Sequence, residues 1–116
     1  SHRRALARFR SGTAPINLEL LRYGVNHAPV DMRKCISCDE VESECHVILH
    51  CHLYQDIRES FYNNLKDLIS KMEYDVFLES SDVDKLGYIL SSSQCVKLAA
   101  RTCYDILERR KVLTYI

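Results

Sequence analysis

The sequence has no Trp and little Gly or Pro, and this scarcity limits the classes of protein that it can encode. Its 116 residues include three Gly and two Pro, while 47% are hydrophobic and 28% are charged. Collagen-like and low-complexity chains are rich in Gly and Pro, so both classes are excluded. The hydrophobic and charged fractions are those of a globular domain, and the shortage of helix breakers favours a mostly α-helical fold.

Long apolar runs are also missing. No stretch approaches the ~18 residues that a membrane-spanning helix needs, and no basic start leads into an apolar run with a small-residue cleavage site. We therefore expect an intracellular chain that is neither secreted nor bound to a membrane. Because the sequence begins at Ser1 and not at Met, we also expect it to be a piece of a larger protein.

Signatures of catalysis are absent as well. The sequence contains no Asp-Asp pair of the kind that holds polymerase metal ions, and no Gly-rich loop that would cradle phosphate. It also offers no evident nucleophile paired with a base. We therefore expect a chain that is not an enzyme by itself.

The formal net charge is zero, but the charges are unevenly distributed. Residues 1–38 and 85–116 are basic, whereas residues 39–84 are acidic. A basic N-terminal segment is what a phosphate-binding surface needs, although a solvated helix face has the same composition.

Helical periodicity predicts most of the secondary structure. Helices are expected at 2–12 with a stop at Gly12, at 13–24 with Thr13 as cap and Gly24 as stop, at 53–72, and at 91–113. The segment ESECHVILHCHLY, residues 42–54, is also expected to be helical. Residues 25–34 are expected to be extended or looped because Pro29 disfavours helix before it. Residues 73–85 are expected to form an acidic connection that is anchored by Val76, Phe77 and Leu78. In the last helix, Cys95 and Cys103 are predicted to be buried, unreactive residues.

The densest chemistry lies in CISCDEVESECHVILHC, residues 35–51, which holds four of the six Cys and two of the five His. Cys35 and Cys38 form a C-x2-C pair, which lets two thiolates reach one tetrahedral metal ion from a single turn. A disulfide framework fits less well because the cysteines are clustered and a secretion signal is lacking. A redox pair would need a βαβ context, which the pattern does not provide.

The second ligand pair contains His46 in either of two arrangements. His46 with His50 gives C-x2-C-x7-H-x3-H, and His46 with Cys51 gives C-x2-C-x7-H-x4-C. The second arrangement requires the helix to end or bend at Cys51. Cys45 is not favoured, because adjacent residues of a helix point about 100° apart. Spacing alone does not separate the two arrangements.

Residues 6–61 resemble the zinc-binding C-terminal region of non-LTR (LINE-type) retrotransposon reverse transcriptases. The resemblance is carried by R-x-G, R-Y-G, R-K-C-x-x-C, E-x-E, H-V-I-L-H-C and L-Y-x-x-I-R, in that order. The family commonly has Phe after the ligand His and Pro after the last Cys, where this chain has Val47 and His52. Its Cys-Cys-His-Cys pattern maps onto Cys35, Cys38, His46 and Cys51. The resemblance therefore implies one structural Zn²⁺ and a position in the C-terminal part of a larger protein. Residues 62–116 match only in general helical character. The length of the chain predicts one small helical domain over residues 1–116, with the zinc site in 35–51 and a helical extension in 53–116.

The resemblance also implies a function. In this family the region helps the polymerase to engage template RNA or target DNA, so RNA or DNA and the rest of a reverse transcriptase are the expected partners, within a nuclear and cytoplasmic ribonucleoprotein. The residues expected to contact phosphate are basic and lie in the N-terminal part of the chain: Arg3, Arg4, Arg8, Arg10, Arg33 and Lys34. Tyr23 or Tyr54 could stack on a base. The alternative is a zinc-stabilised structural or protein-interaction module without nucleic-acid contact.

Overall fold

The computed structural model describes residues 1–20 and 28–114. The structure is 76% helical, and its described part contains no strand, which confirms the predicted mostly α fold. The α-helices are α1 (His2–Ser11), α2 (Asn17–Leu20), α3 (Gln55–Leu68), α4 (Lys71–Glu79), α5 (Asp82–Ser91) and α6 (Val96–Thr114). Short 3₁₀ turns lie at Val30–Met32, His52–Tyr54 and Ser93–Cys95, and a π turn lies at His46–His50.

Helix α1 has the predicted bounds. The Ser1 side chain accepts a hydrogen bond from the backbone N–H of Arg4, and Gly12 ends the helix with φ 70° in the left-handed region that favours glycine. Its apolar face, which includes Leu6 and Phe9, is buried, and α1 packs mainly against α6. The basic face of α1 is left towards solvent.

Helix α2 begins later than predicted, at Asn17. Thr13 does not cap it, because the helix begins four residues later. The Oγ1 of Thr13 instead lies 2.8 Å from Ser11 Oγ. Ile16 is fully buried, as expected of an apolar contact residue. The predicted stop at Gly24 and the first residues of the predicted loop, 25–27, lie outside the described residues.

The helix predicted over 53–72 ends at Leu68, so this prediction was too long. Ile69 is extended, with φ −116° and ψ 168°. Ser70 then caps a new helix by accepting a hydrogen bond from the backbone N–H of Glu73 at 3.1 Å. Ser70 and Glu73 form the S-x-x-E pattern of a helix start, which outweighs the continuing apolar periodicity.

The acidic connection predicted over 73–85 is wrong, since this segment is mostly helical. It contains most of α4 and the start of α5, where Ser81 caps by accepting from the backbone N–H of Asp84 at 3.2 Å. Of the three predicted anchors only Phe77 is buried, whereas Val76 and Leu78 are 65% and 41% exposed. A helix presents only one of three successive side chains to the core.

Helix α6 is the centre of the fold. It packs against α1, α3 and α5, and its buried residues join those of the other helices in one hydrophobic core. Cys95 and Cys103 are each 1% exposed, which confirms their predicted burial. No helix within the described ranges has the length and hydrophobicity needed to cross a bilayer.

Candidate metal centre

The first two cysteines are held by a tight loop whose two sides are hydrogen-bonded. Lys34 and Val41 form an isolated antiparallel bridge. Across it, the backbone N–H of Cys35 donates to the Glu40 carbonyl at 2.9 Å, and that of Glu42 donates to the Arg33 carbonyl at 2.8 Å. The loop therefore closes just outside the C-x2-C pair and holds Cys35 and Cys38 in one turn.

The π turn His46–His50 supplies the second half of the site. The backbone N–H of Cys51 donates to the carbonyl of His46, five residues earlier, at 2.7 Å. In an α-helix, a residue five positions on is rotated by roughly 140°, whereas the wider π turn brings it nearer to the same face. Cys51 itself is extended, with ψ 127°. The helix thus ends at Cys51, as the second ligand arrangement requires.

Four side chains converge between the loop and the π turn. One donor atom from each of Cys35, Cys38, His46 and Cys51 lies within 4.8 Å of the others. The Sγ of Cys51 is 3.7 Å from that of Cys35 and 3.9 Å from that of Cys38. Two thiolates on a tetrahedral zinc ion are about 3.8 Å apart, given Zn–S bonds of about 2.3 Å. These separations fit a shared metal ion, and they are too long for a disulfide of about 2.05 Å.

The imidazole of His46 is positioned to bind a metal ion. It is 6% exposed, and its Nδ1 lies 3.1 Å from Glu40 Oε2. Because a carboxylate accepts hydrogen bonds, Nδ1 is the donor to Glu40, and Nε2 is the nitrogen that can ligate a metal ion. Nε2 is buried and has no hydrogen-bond partner among the described residues. A metal-binding histidine usually donates its other ring N–H to a carboxylate, which fixes the orientation of the ring.

Burial disfavours the ionised form of the Cys51 thiol when no metal ion is bound. Removal from water, together with the neighbouring Cys35 and Cys38 sulfurs, raises the pKa of the Cys51 thiol to about 12. A bound cation would reverse this balance, because it stabilises the thiolates that water no longer solvates. The arrangement can thus hold a metal ion, and all four donors come from the protein.

The other candidate ligands lie outside this group. His50 is exposed and contacts Asp82, and Cys45 lies beside these two residues. The exposed His52 lies 2.6 Å from Ser37 Oγ through its Nε2. The structure therefore favours His46 with Cys51 over His46 with His50, which the spacing had left open.

Two contacts of charged side chains stabilise the site, and neither was predicted from the sequence. Arg58 of α3 donates to the carbonyls of Ile48 at 2.7 Å and of Cys51 at 2.9 Å, at the end of the π turn. Glu42, just before the turn, is fully buried and pairs with the buried Arg110 of α6. Arg58 belongs to the L-Y-x-x-I-R motif, but no local pattern pairs Glu42 with a residue 68 positions away.

The basic residues predicted to contact nucleic acid fall into two groups. Four are exposed on α1: Arg3, Arg4, Arg8 and Arg10. Arg10 also donates from Nε to the Leu90 carbonyl. The other two are engaged within the fold, since Arg33 donates to the carbonyls of Ala28 and Leu18, and Lys34 pairs with Asp39 at 2.6 Å.

The structure tests the predicted base stacking for one of the two tyrosines, Tyr54. Tyr54 is fully buried, so its predicted stacking on a base is wrong. The signal was available, because Tyr54 lies between Leu53 and the apolar face of α3, where an aromatic ring packs into the core. Tyr23 lies outside the described residues.

Comparison of the chain with models of protein families, with curated proteins and with solved structures gave no match. The functional argument therefore depends on the site itself and on the motifs of the sequence.

Proposed function

We propose that the chain is a zinc-stabilised accessory domain of a non-LTR retrotransposon reverse transcriptase, which binds template RNA or target DNA and is not catalytic by itself. The rest of that polypeptide and a nuclear and cytoplasmic ribonucleoprotein are its proposed context. Support comes from the ligand order Cys35, Cys38, His46 and Cys51, together with the motifs that surround it.

Zinc is the metal that this donor set suits best. Three thiolates and one imidazole in a tetrahedral arrangement are typical of structural zinc sites. With all four positions filled by protein, no position is left for a catalytic water. The metal thus contributes to folding by fixing the loop at Cys35 and the π turn to each other.

The observation that carries the nucleic-acid proposal is the basic face of α1. The side chains of Arg3, Arg4 and Arg8 are exposed, and none has a hydrogen bond or an ion pair with another residue in the described ranges. Arg4 and Arg8 line one cleft together with Tyr104 and Lys111 of α6. Guanidinium groups without internal partners are available to phosphate oxygens, which accept their N–H groups two at a time.

The test is binding of single-stranded RNA and of duplex DNA by the zinc-loaded protein over a series of salt concentrations. A triple variant with Arg3, Arg4 and Arg8 each changed to Gln should bind more weakly. The slope of log K against log salt should fall by about 0.9 for each lost contact with duplex DNA, and by about 0.7 with a single strand. The matched control changes three exposed lysines elsewhere to Gln: Lys66, Lys71 and Lys97. Equal losses in the two triple variants, or none in the first, would overturn the assignment of this surface.

A second candidate function is docking onto another part of the polypeptide without nucleic-acid contact. It is favoured by apolar exposure on α4, where Met72 is 78% and Val76 is 65% exposed. Both side chains line a groove with Phe77 and Tyr88. In the same binding experiment, this candidate predicts no measurable affinity of the parent protein for either nucleic acid.

A further inference from the structure

A second group of metal-ligand residues lies beside the π turn. One donor atom from each of Cys45, His50 and Asp82 lies within 4.8 Å of the others. Cys45 comes directly before the π turn, His50 is its last residue, and Asp82 is the first residue of α5. No residue of this group belongs to the Cys3His cluster.

The π turn explains why Cys45 and His50 meet. They are five residues apart, as are His46 and Cys51, and the turn closes through a hydrogen bond between residues five apart. One local conformation therefore forms two ligand pairs, displaced from each other by a single residue. The inner pair, His46 and Cys51, is buried, whereas the outer pair is partly exposed.

The N-terminal cap of α5 positions Asp82, the third member of the group. Ser81 accepts a hydrogen bond from the N–H of Asp84 and so fixes the first turn, where Asp82 lies. The Asp82 carboxylate is 2.6 Å from His50 Nε2, and both side chains are 50% exposed. An exposed His–Asp contact contributes little to stability. The adjacent Cys45 thiol makes the trio a donor set and not merely an ion pair.

We infer that Cys45, His50 and Asp82 form a second metal site, which takes a zinc-class divalent cation from solvent and leaves one position to water. Thiolate, imidazole and carboxylate are all zinc ligands, and three protein ligands with one open position are a known coordination pattern. On binding, the Cys45 thiol proton passes to solvent, and the hydrogen bond between His50 and Asp82 is replaced by a bond from each residue to the metal. The ion would connect the π turn to α5. Its half-exposed ligands make this the weaker of the two sites.

The test is a titration of the reduced, metal-free chain with Co²⁺, followed by competition with Zn²⁺. Two equivalents are expected: a tight one whose absorption reports three thiolates, and a weaker one that reports a single thiolate. His50→Ala and Asp82→Asn should each lose the second equivalent and keep the first, whereas Cys51→Ser should lose the first. The matched controls are His52→Ala and Asp84→Asn, which change exposed residues outside both groups and should retain two equivalents.

The outcomes separate this site from the proposed zinc centre. A single equivalent that is lost with Cys51→Ser and retained with His50→Ala would overturn the second site and leave the Cys3His centre intact. A second equivalent that survives both His50→Ala and Asp82→Asn would place the ion elsewhere and would also overturn the inference. Circular dichroism of each variant checks that the helices are intact, so that a lost equivalent reports a lost ligand.

Discussion

Among the described residues, the buried ion pair between Glu42 and Arg110 is the polar contact whose loss should destabilise the fold most. Glu42 is fully buried, and Arg110 is 7% exposed. Arg110 donates from Nε to Glu42 Oε2 at 3.0 Å and from Nη2 to Glu42 Oε1 at 2.7 Å. The backbone N–H of Asn17 donates to the same carboxylate, and Asn17 Oδ1 accepts from Arg110 Nη2 at 3.1 Å. Burial works against the Arg110 charge, but the hydrogen bonds and the charge of Glu42 outweigh it and raise the Arg110 pKa.

The expected cost of breaking the pair is large relative to the stability of the chain. Arg110→Met would leave a buried carboxylate whose one remaining donor among the described residues is the Asn17 N–H, and removing one partner of a buried pair costs about 3–5 kcal/mol. A chain of 116 residues has a total free energy of unfolding of roughly 6–17 kcal/mol, at about 0.05–0.15 kcal/mol per residue. The single change would therefore remove between about a fifth and four fifths of the stability.

Urea unfolding of the zinc-loaded protein, followed by circular dichroism, measures this cost. The matched control is Arg101→Met in the same helix, where Arg101 is 72% exposed and lies 3.9 Å from Asp105. This change should cost at most about 1 kcal/mol. The double variant Glu42→Leu with Arg110→Met should cost no more than either single change, because no unpaired charge remains. If Arg110→Met costs no more than Arg101→Met, the pair does not form as a buried contact and the reasoning is refuted.

Two further predictions concern the metal site and the corrected helices. Glu40→Gln should weaken zinc affinity about 10- to 100-fold, because the carboxylate that orients His46 is lost. Competition with a chelator measures this, and Asp39→Asn, which changes the neighbouring carboxylate, should leave the affinity unchanged. Phe77→Ala should cost about 3–5 kcal/mol of stability, whereas Val76→Ala should change it by about 0.5 kcal/mol or less. Equal costs for Phe77→Ala and Val76→Ala in urea unfolding would contradict the burial pattern of α4.

The candidate metal centre shows how far the spacing of residues along the chain can predict a metal site. Cys35, Cys38 and His46 were predicted from ligand spacing and helix geometry alone. The fourth ligand was left open between His50 and Cys51, because an α-helical spacing favours a residue four positions on. The π turn brings Cys51, and not His50, close to the other three donors, and its defining hydrogen bond to the His46 carbonyl has no signature in residue types. The resemblance to a family supplied what the local physics did not.

Helices α4 and α5 could have been predicted from the sequence. Their acidic composition was interpreted as a solvated connection, but Glu73, Asp82 and Asp84 lie in first turns, where negative charge favours a helix. Each of these turns follows a serine that caps it, Ser70 or Ser81. Capping signals are local and were present, whereas the apolar stripe of α4 is narrow, with Phe77 as its single buried residue. Periodicity is a weak guide when so few side chains reach the core.

The internal use of arginine limits what charge patterning can predict about function. Residues 85–116 are basic as a whole, yet Arg109 pairs with Asp56 and Arg110 pairs with Glu42. Arg58 is likewise engaged, with the carbonyls at the end of the π turn. The contacts of Arg109 and Arg110 join residues that are 53 and 68 positions apart, so composition cannot distinguish an arginine that is engaged within the fold from one that is available to a ligand. Only the fold shows which arginines are already engaged, and it leaves the exposed arginines of α1 as the candidates for binding phosphate.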